Sequence, residues 1–194
     1  MKKLILMMVM AITAISASAE VEEGFAMGVR ADVGIGTLTG GGCGVGFSYG
    51  IGWIAEYNFA SNLYLQSGVG LQNLAHTEDF IEGTLNAFYA QVPIHVGYRF
   101  PVGDTTSLFV QAGPTLGVGI FGSKIRYTYP MEDFLFDYNY FDYARRFDLG
   151  VGARVGVEIN SFQISAATNF GVLPIAEGNS SHNLCATIGV AYMF

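Results

Sequence analysis

The chain is 194 residues long, with 16 acidic against 9 basic residues, and it is 51% hydrophobic but only 13% charged. Its length bounds it to about one domain, and its acidic excess argues against nucleic acid as a partner. The mean hydropathy is +0.38, yet after residue 20 there is no run of about 18 apolar residues, so there is no transmembrane helix. Apolar residues spread over every second position suit a membrane barrel instead.

The first segment reads as an export signal over residues 1–19. Lys2 and Lys3 form a positive start, Leu4 to Ile15 an apolar core, and Ala17-Ser18-Ala19 a small-x-small cleavage site. The apolar core is too short to span a bilayer comfortably. The expected mature domain is residues 20–194.

Eight segments then alternate apolar with small or polar residues, the period of a β-strand. They are expected at about 25–37, 45–59, 62–74, 86–100, 107–121, 145–159, 162–173 and 184–194. In the first, Phe25, Met27, Val29, Ala31, Val33 and Ile35 oppose Ala26, Gly28, Arg30, Asp32, Gly34 and Gly36. In the last, Leu184, Ala186, Ile188, Val190, Tyr192 and Phe194 oppose Cys185, Thr187, Gly189, Ala191 and Met193. Pro114 cannot donate to a ladder, so the fifth strand is expected to bulge there.

Links between these strands alternate in length. Short ones follow the second, fourth and sixth strands. Longer ones, including Asn73–Leu85 and Gly122–Ala144, follow the others. That is the pattern of outer-membrane barrels, and it would place both termini on the periplasmic side. A soluble ligand-binding barrel is the rival architecture. Parity separates the two, because the charged residues share a face with the glycines while the large apolar residues share the other. An interior network of Arg30, Asp32, Glu56, His95, Arg99, Arg146, Asp148, Arg154 and Glu158 is therefore expected, with lipid outside. Eight strands leave room for interior side chains but no channel. The fold expected is all-β, an eight-stranded antiparallel up-and-down transmembrane barrel.

Little catalytic chemistry is legible. His95 points inward, while His76 and His182 read as solvated loop residues, and none has the spacing of a Ser-His-acid site. Glu78, Asp79 and Glu82 lack the spacing of a calcium loop. No catalytic residue, metal ligand or cofactor is expected. Cys43 and Cys185 could form a disulfide if their α-carbons approach within about 7 Å; otherwise Cys185 fills space inside. The longest loop carries Tyr127, Tyr129, Phe134, Phe136, Tyr138, Tyr140, Phe141 and Tyr143. It reads as a hairpin with an interfacial aromatic belt, as an exposed recognition surface, or as both.

Several strands resemble the outer-membrane β-barrel domain family of Gram-negative bacteria, a porin-like group that includes PorT-type proteins and OmpA- or OmpX-like eight-stranded barrels. Tyr89 to Phe100 (YAQVPIHVGYRF) is similar to the family's Y-x-x-IP-x-x-x-x-YRF strand. Gln111 to Ile120 resembles its GP-x-LG strand, and Arg145 to Ile159 its R-x-D-x-G strand. The resemblance implies that the terminal aromatics, Tyr192 and Phe194, are read by the barrel-assembly machinery. It is nearly silent on activity. The expected protein is a monomeric, non-enzymatic barrel in outer-membrane lipid, with a filled polar lumen and a structural or recognition role through its outer loops, where an extracellular ligand could bind. A narrow transport pore, a secretion-system component and an envelope-lipid enzyme are the alternatives.

Overall fold

The computed structural model describes residues 23–40, 42–59, 61–78, 83–129, 132–178 and 180–194, with backbone alone for 125–138. The segment expected to be an export signal, 1–19, and the acidic pair Asp79 and Glu82 lie outside the described residues.

Eight strands close into one barrel. In chain order they are β1 (Gly24–Leu38), β2 (Cys43–Asn58), β3 (Leu63–Glu78), β4 (Leu85–Pro101), β5 (Thr106–Gly122), β8 (Phe147–Ile159), β9 (Phe162–Gly171) and β10 (Asn183–Met193). Between β5 and β8 stand β6 (Lys124–Tyr129) and β7 (Glu132–Asn139), a separate two-stranded hairpin, then a single helical turn, α1 (Tyr140–Tyr143). Each barrel strand pairs antiparallel with its neighbours, and β1 closes the ring against β10, with Gly28 opposite Met193 and Leu38 opposite Asn183. The expected eight-stranded meander is the observed fold.

Period-two alternation fixes which face is which. Phe25, Val33, Ile51, Val69, Val118, Val155 and Ile188 are exposed on the outside. Arg30, Glu56, Gln66, Arg99, Gln111 and Gln163 are buried in the lumen. Interior glycines make room for the largest inner side chains: a Cβ at Gly97 would overlap the Tyr64 ring.

Outward aromatics gather at two heights. Near the short turns, Tyr57 meets Phe59 edge-on, and Tyr98 meets Phe100 and Phe162 meets Tyr192 at a tilt, at centroid distances of 5.1, 4.7 and 5.0 Å. Toward the long loops, Phe88 contacts Phe121 at 4.4 Å and Tyr49 at 6.0 Å. Along β4, the span from Phe88 to Tyr98 rises roughly 34 Å, and a tilt of about 40° gives a band about 26 Å tall. That matches the apolar height of an outer-membrane barrel.

The turns at one end are tight. Asn62 and Asn160 adopt φ of 60° and 52°, left-handed conformations that asparagine tolerates better than most residues. The start of β1 and the end of β10 meet at this same end, where Phe194 N–H donates to the Met27 carbonyl at 2.8 Å.

The bulge expected at Pro114 is absent. Pro114 stands opposite Val151 in unbroken register with β8. Toward β4, the pairs Pro93–Thr115 and Val96–Ala112 keep one register across a short gap in the ladder. The missing N–H opens the ladder locally instead of inserting a residue. The register shifts of the barrel lie elsewhere, at Phe88/Tyr89 between β4 and β5 and at Val45/Tyr49 between β2 and β3. Beyond the second of these, β3 continues to Glu78, four residues past its expected end.

Candidate functional site

The lumen is built row by row from strand register. Glu56, Gln66 and His95 stand side by side across β2, β3 and β4. Gln111 and Arg154 are opposite each other on β5 and β8, as are Glu158 and Gln163 on β8 and β9. Because inner positions recur every second residue, these rows point at one another across a narrow interior.

Arg99 is the centre of the lower layer. Its Nη2 donates to Glu56 Oε1 and, at 3.0 Å, to Glu158 Oε2, while Nη1 donates to Asn58 Oδ1. The guanidinium lies over the Tyr64 ring, 4.4 Å from its centroid. Glu56 is only 1% exposed, and its other oxygen accepts from Gln66 Nε2 at 3.0 Å. Glu158 also accepts from Gln163 Nε2 at 2.7 Å. Such charge-assisted, multiply bonded pairs satisfy the polar groups that burial would otherwise penalise.

From this centre a chain of neutral groups climbs the lumen. Gln111 Nε2 donates to Gln66 Oε1 at 2.9 Å and faces His95 Nδ1 at 3.2 Å, and Gln111 Oε1 accepts from the Tyr64 hydroxyl at 2.9 Å. His95 Nε2 then meets Thr115 Oγ1 at 3.3 Å. With Nδ1 accepting, Nε2 carries the proton and the imidazole is the neutral tautomer in this network. A second ion pair joins Arg154 Nη1 to Asp32 Oδ1 at 2.8 Å, and the same nitrogen donates to Ser165 Oγ at 2.7 Å.

The structure thus gathers seven of the nine expected interior residues: Arg30, Asp32, Glu56, His95, Arg99, Arg154 and Glu158. Asp148 is inward but stands apart from the arginines, accepting from Asn183 Nδ2 at 3.0 Å. Arg146 is a correction. It precedes the first residue of β8 and is exposed at the rim, where Nη1 donates to the carbonyls of Gly119 and Ile120 and the guanidinium lies over Phe141. Sequence reasoning missed the amides Gln66, Gln111 and Gln163 and the ring of Tyr64. Their inner parity was the available signal, but only charges were counted.

The mouth at the long-loop end is closed by an apolar plug. Leu38, Leu74, Leu85, Tyr89, Tyr140, Phe141, Ile175 and Cys185 pack into one buried cluster. Tyr140 and Phe141 come from α1, which turns inward and is tied down by Tyr140 N–H to the Ser123 carbonyl at 3.0 Å. Its N-terminus is held by the Asn139 N–H donating to Asp142 Oδ2 at 3.0 Å. Burial pushes the Tyr140 phenol well above its ordinary range. These two aromatics are therefore interior seals and not surface contacts, which corrects the reading of the loop. Tyr143 is exposed. Tyr127, Tyr129, Phe134, Phe136 and Tyr138 lie on the β6–β7 hairpin, with Tyr127 opposite Phe136, and their side chains lie outside the described residues.

His76 is not solvated as expected, whereas His182 is half-buried in its loop. His76 is buried beside the Tyr140 ring, 5.7 Å between centroids, with Nε2 3.5 Å from Glu78. His182 stacks on Phe170. Cys43 and Cys185 are not joined by a disulfide. Cys185 pairs with Gly36, and Gly36 with Gly46 on the next strand, three residues short of Cys43. Two strand spacings and three residues of rise separate the α-carbons by roughly 14 Å, about twice the reach of a disulfide.

An all-antiparallel eight-stranded barrel with apolar residues outside, aromatic belts and a charged interior defines an integral outer-membrane barrel. The family described as "Outer membrane protein beta-barrel domain" matches residues 4–194, and this chain belongs to that family. Among solved structures, Neisserial surface protein A (NspA) is 13% identical with a TM-score of 0.52, covering 89% of this chain and 100% of its own. Ail, the attachment invasion locus protein of Yersinia pestis, is 13% identical with a TM-score of 0.49, covering 90% and 100%. OprG of Pseudomonas aeruginosa is 11% identical with a TM-score of 0.48, covering 91% and 98%. No curated protein matches. The protein is an outer-membrane β-barrel protein.

Proposed function

We propose that this barrel is a monomeric, non-enzymatic outer-membrane protein that passes no solute and acts through its long loops, as a surface-recognition or envelope-supporting element. The observation that carries this reading is double closure of the lumen. The Arg99–Glu56–Glu158 layer fills the lower interior, and Tyr140 and Phe141 cap the mouth. With the interior of the described residues filled at both levels, the surface left to meet partners is the loop end, above all the β6–β7 hairpin. In this reading both termini face the periplasm, and the outward rings of Tyr192 and Phe194 on the closing strand present the signal read by the assembly machinery.

The test separates hairpin from plug. Deleting residues 124–139 removes the tyrosine-rich hairpin and keeps α1. Cells carrying this variant are expected to lose adhesion to glycan- or protein-coated surfaces while resisting detergent as the wild type does. Detergent sensitivity without an adhesion defect assigns the envelope-supporting role instead. Stable single-channel steps of porin size from the reconstituted wild type would overturn the closed-lumen reading.

A further inference from the structure

The plug at the mouth rests on a histidine. His76 lies near the upper end of β3, beyond Asn73, which pairs with Phe88 of the upper aromatic belt, so it stands above the membrane-spanning zone. Its side chain is 2% exposed. The Tyr140 ring of α1 covers it at an interplanar angle of 61°, and Leu85 of β4 stands opposite it in register. Among the described residues its Nε2 has no hydrogen-bond partner. A neutral imidazole fits such a site, whereas an imidazolium without water or a bonded acceptor is costly. Burial accordingly lowers the His76 imidazole from its ordinary 6.5 to about 4.

The neighbouring groups do little to hold a cation there. Tyr140 on α1, Tyr89 on β4 and Cys43 on β2 gather at the mouth, and phenols and thiols are uncharged in acid. Asp148 of β8 is bonded to Asn183. Arg146 lies over Phe141 and is a like charge. Glu78 is the carboxylate that faces His76, at 3.5 Å, and burial raises its own carboxyl, so it too neutralises as acid is added. The movable part is α1, a four-residue turn outside the barrel ladder, tied by the Tyr140 N–H to the Ser123 carbonyl. Lifting α1 would hydrate His76 without breaking a strand pair, the kind of local opening that costs far less than unfolding.

We propose that α1 is an acid-released latch: a second proton on the His76 imidazole drives Tyr140 and Phe141 out of the mouth, opens the upper lumen to water and loosens the base of the β6–β7 hairpin. The closed mouth disfavours the cation and the released mouth does not. Closure is therefore strongest above pH 6.5 and weakens as the pH falls from 6.5 toward about 4. The Arg99 layer below stays in place, so the latch governs the mouth and the hairpin and forms no pore.

Cys185, buried in the plug cluster, is the reporter. The Cys43→Ser barrel in phosphatidylcholine nanodiscs is labelled with 4,4′-dithiodipyridine, and each rate is divided by that of free glutathione at the same pH. Between about pH 7.5 and pH 5 the relative rate is expected to rise about 10- to 30-fold. His76→Gln and His76→Leu should both flatten the profile. Glu78→Gln should steepen it, because that carboxylate favours the cation while the mouth is shut. A flat profile without any His76 or Glu78 substitution would overturn the proposal, and this readout needs neither His76 variant to fold. So would a rise that survives in both His76 variants, or one that vanishes in Glu78→Gln, since either assigns the acid response to another group.

Discussion

Gly119 on β5 sits against the ring of Phe141 so closely that a Cβ on the strand would overlap the ring. The barrel wall is shaped to accept the plug. Gly119→Val is expected to displace Phe141 and loosen α1 without disturbing the ladder below. Cys185, buried in the same cluster, reports this directly. In a Cys43→Ser background, labelling of Cys185 by a thiol reagent should be at least tenfold faster in Gly119→Val. Unchanged labelling would mean that α1 does not seal the mouth.

Arg99 is the cation that two buried glutamates share. Arg99→Met leaves Glu56 and Glu158 uncompensated in the lumen. The expected destabilisation is about 3–5 kcal/mol, read from the urea midpoint of reversible unfolding in lipid. Adding Glu56→Gln and Glu158→Gln should recover most of that loss, because the defect is unpaired charge and not missing volume.

The sense of the barrel is testable at a single position. Val155 is 56% exposed and faces outward between the two aromatic belts. Val155→Arg should cost about 2–4 kcal/mol in a bilayer. A cost near zero, as on a water-facing surface, would contradict a lipid-facing outer wall.

The thiols give a simple check on the strand arithmetic. Because Cys43 and Cys185 lie on strands flanking β1 and three residues apart in height, the denatured, unreduced protein should titrate with two free thiols. A disulfide there would require a register different from the one observed.

The barrel itself was legible because a period of two survives in every spanning segment, and lumen against lipid is a binary choice that charge parity settles. Arg30, Glu56, Arg99 and Glu158 fell where parity put them. Parity stops carrying information at the ends of the strands. Arg146 continues the inner series by count, yet it lies just before β8 begins and turns out over the rim. Leu85, read as the end of a loop, is an inner position of a longer β4. The plug was illegible for a different reason. Tyr140 and Phe141 belong to a tyrosine-rich run that looks uniform in sequence. What separates these two from the rest is a turn of helix and the receiving glycines of β5, a relationship across the chain that no local pattern encodes. Pro114 misled because a missing donor can be absorbed by a gap in the ladder as readily as by an inserted residue.

The seam between β1 and β10 has a consequence for how the molecule is made. Its contacts join Gly28 to Met193 and Met27 to Phe194, partners separated by nearly the whole sequence. Contact order is therefore close to its maximum at the seam, and ring closure must be a late, slow event. Until the last strand is in place, β1 has a bare edge able to pair with any passing chain. The unfinished molecule, with an apolar outer face and an open edge, needs protection on its way to the membrane, and aggregation in transit competes with insertion. Substitutions at the seam are expected to lower yield in cells before they measurably change the finished barrel.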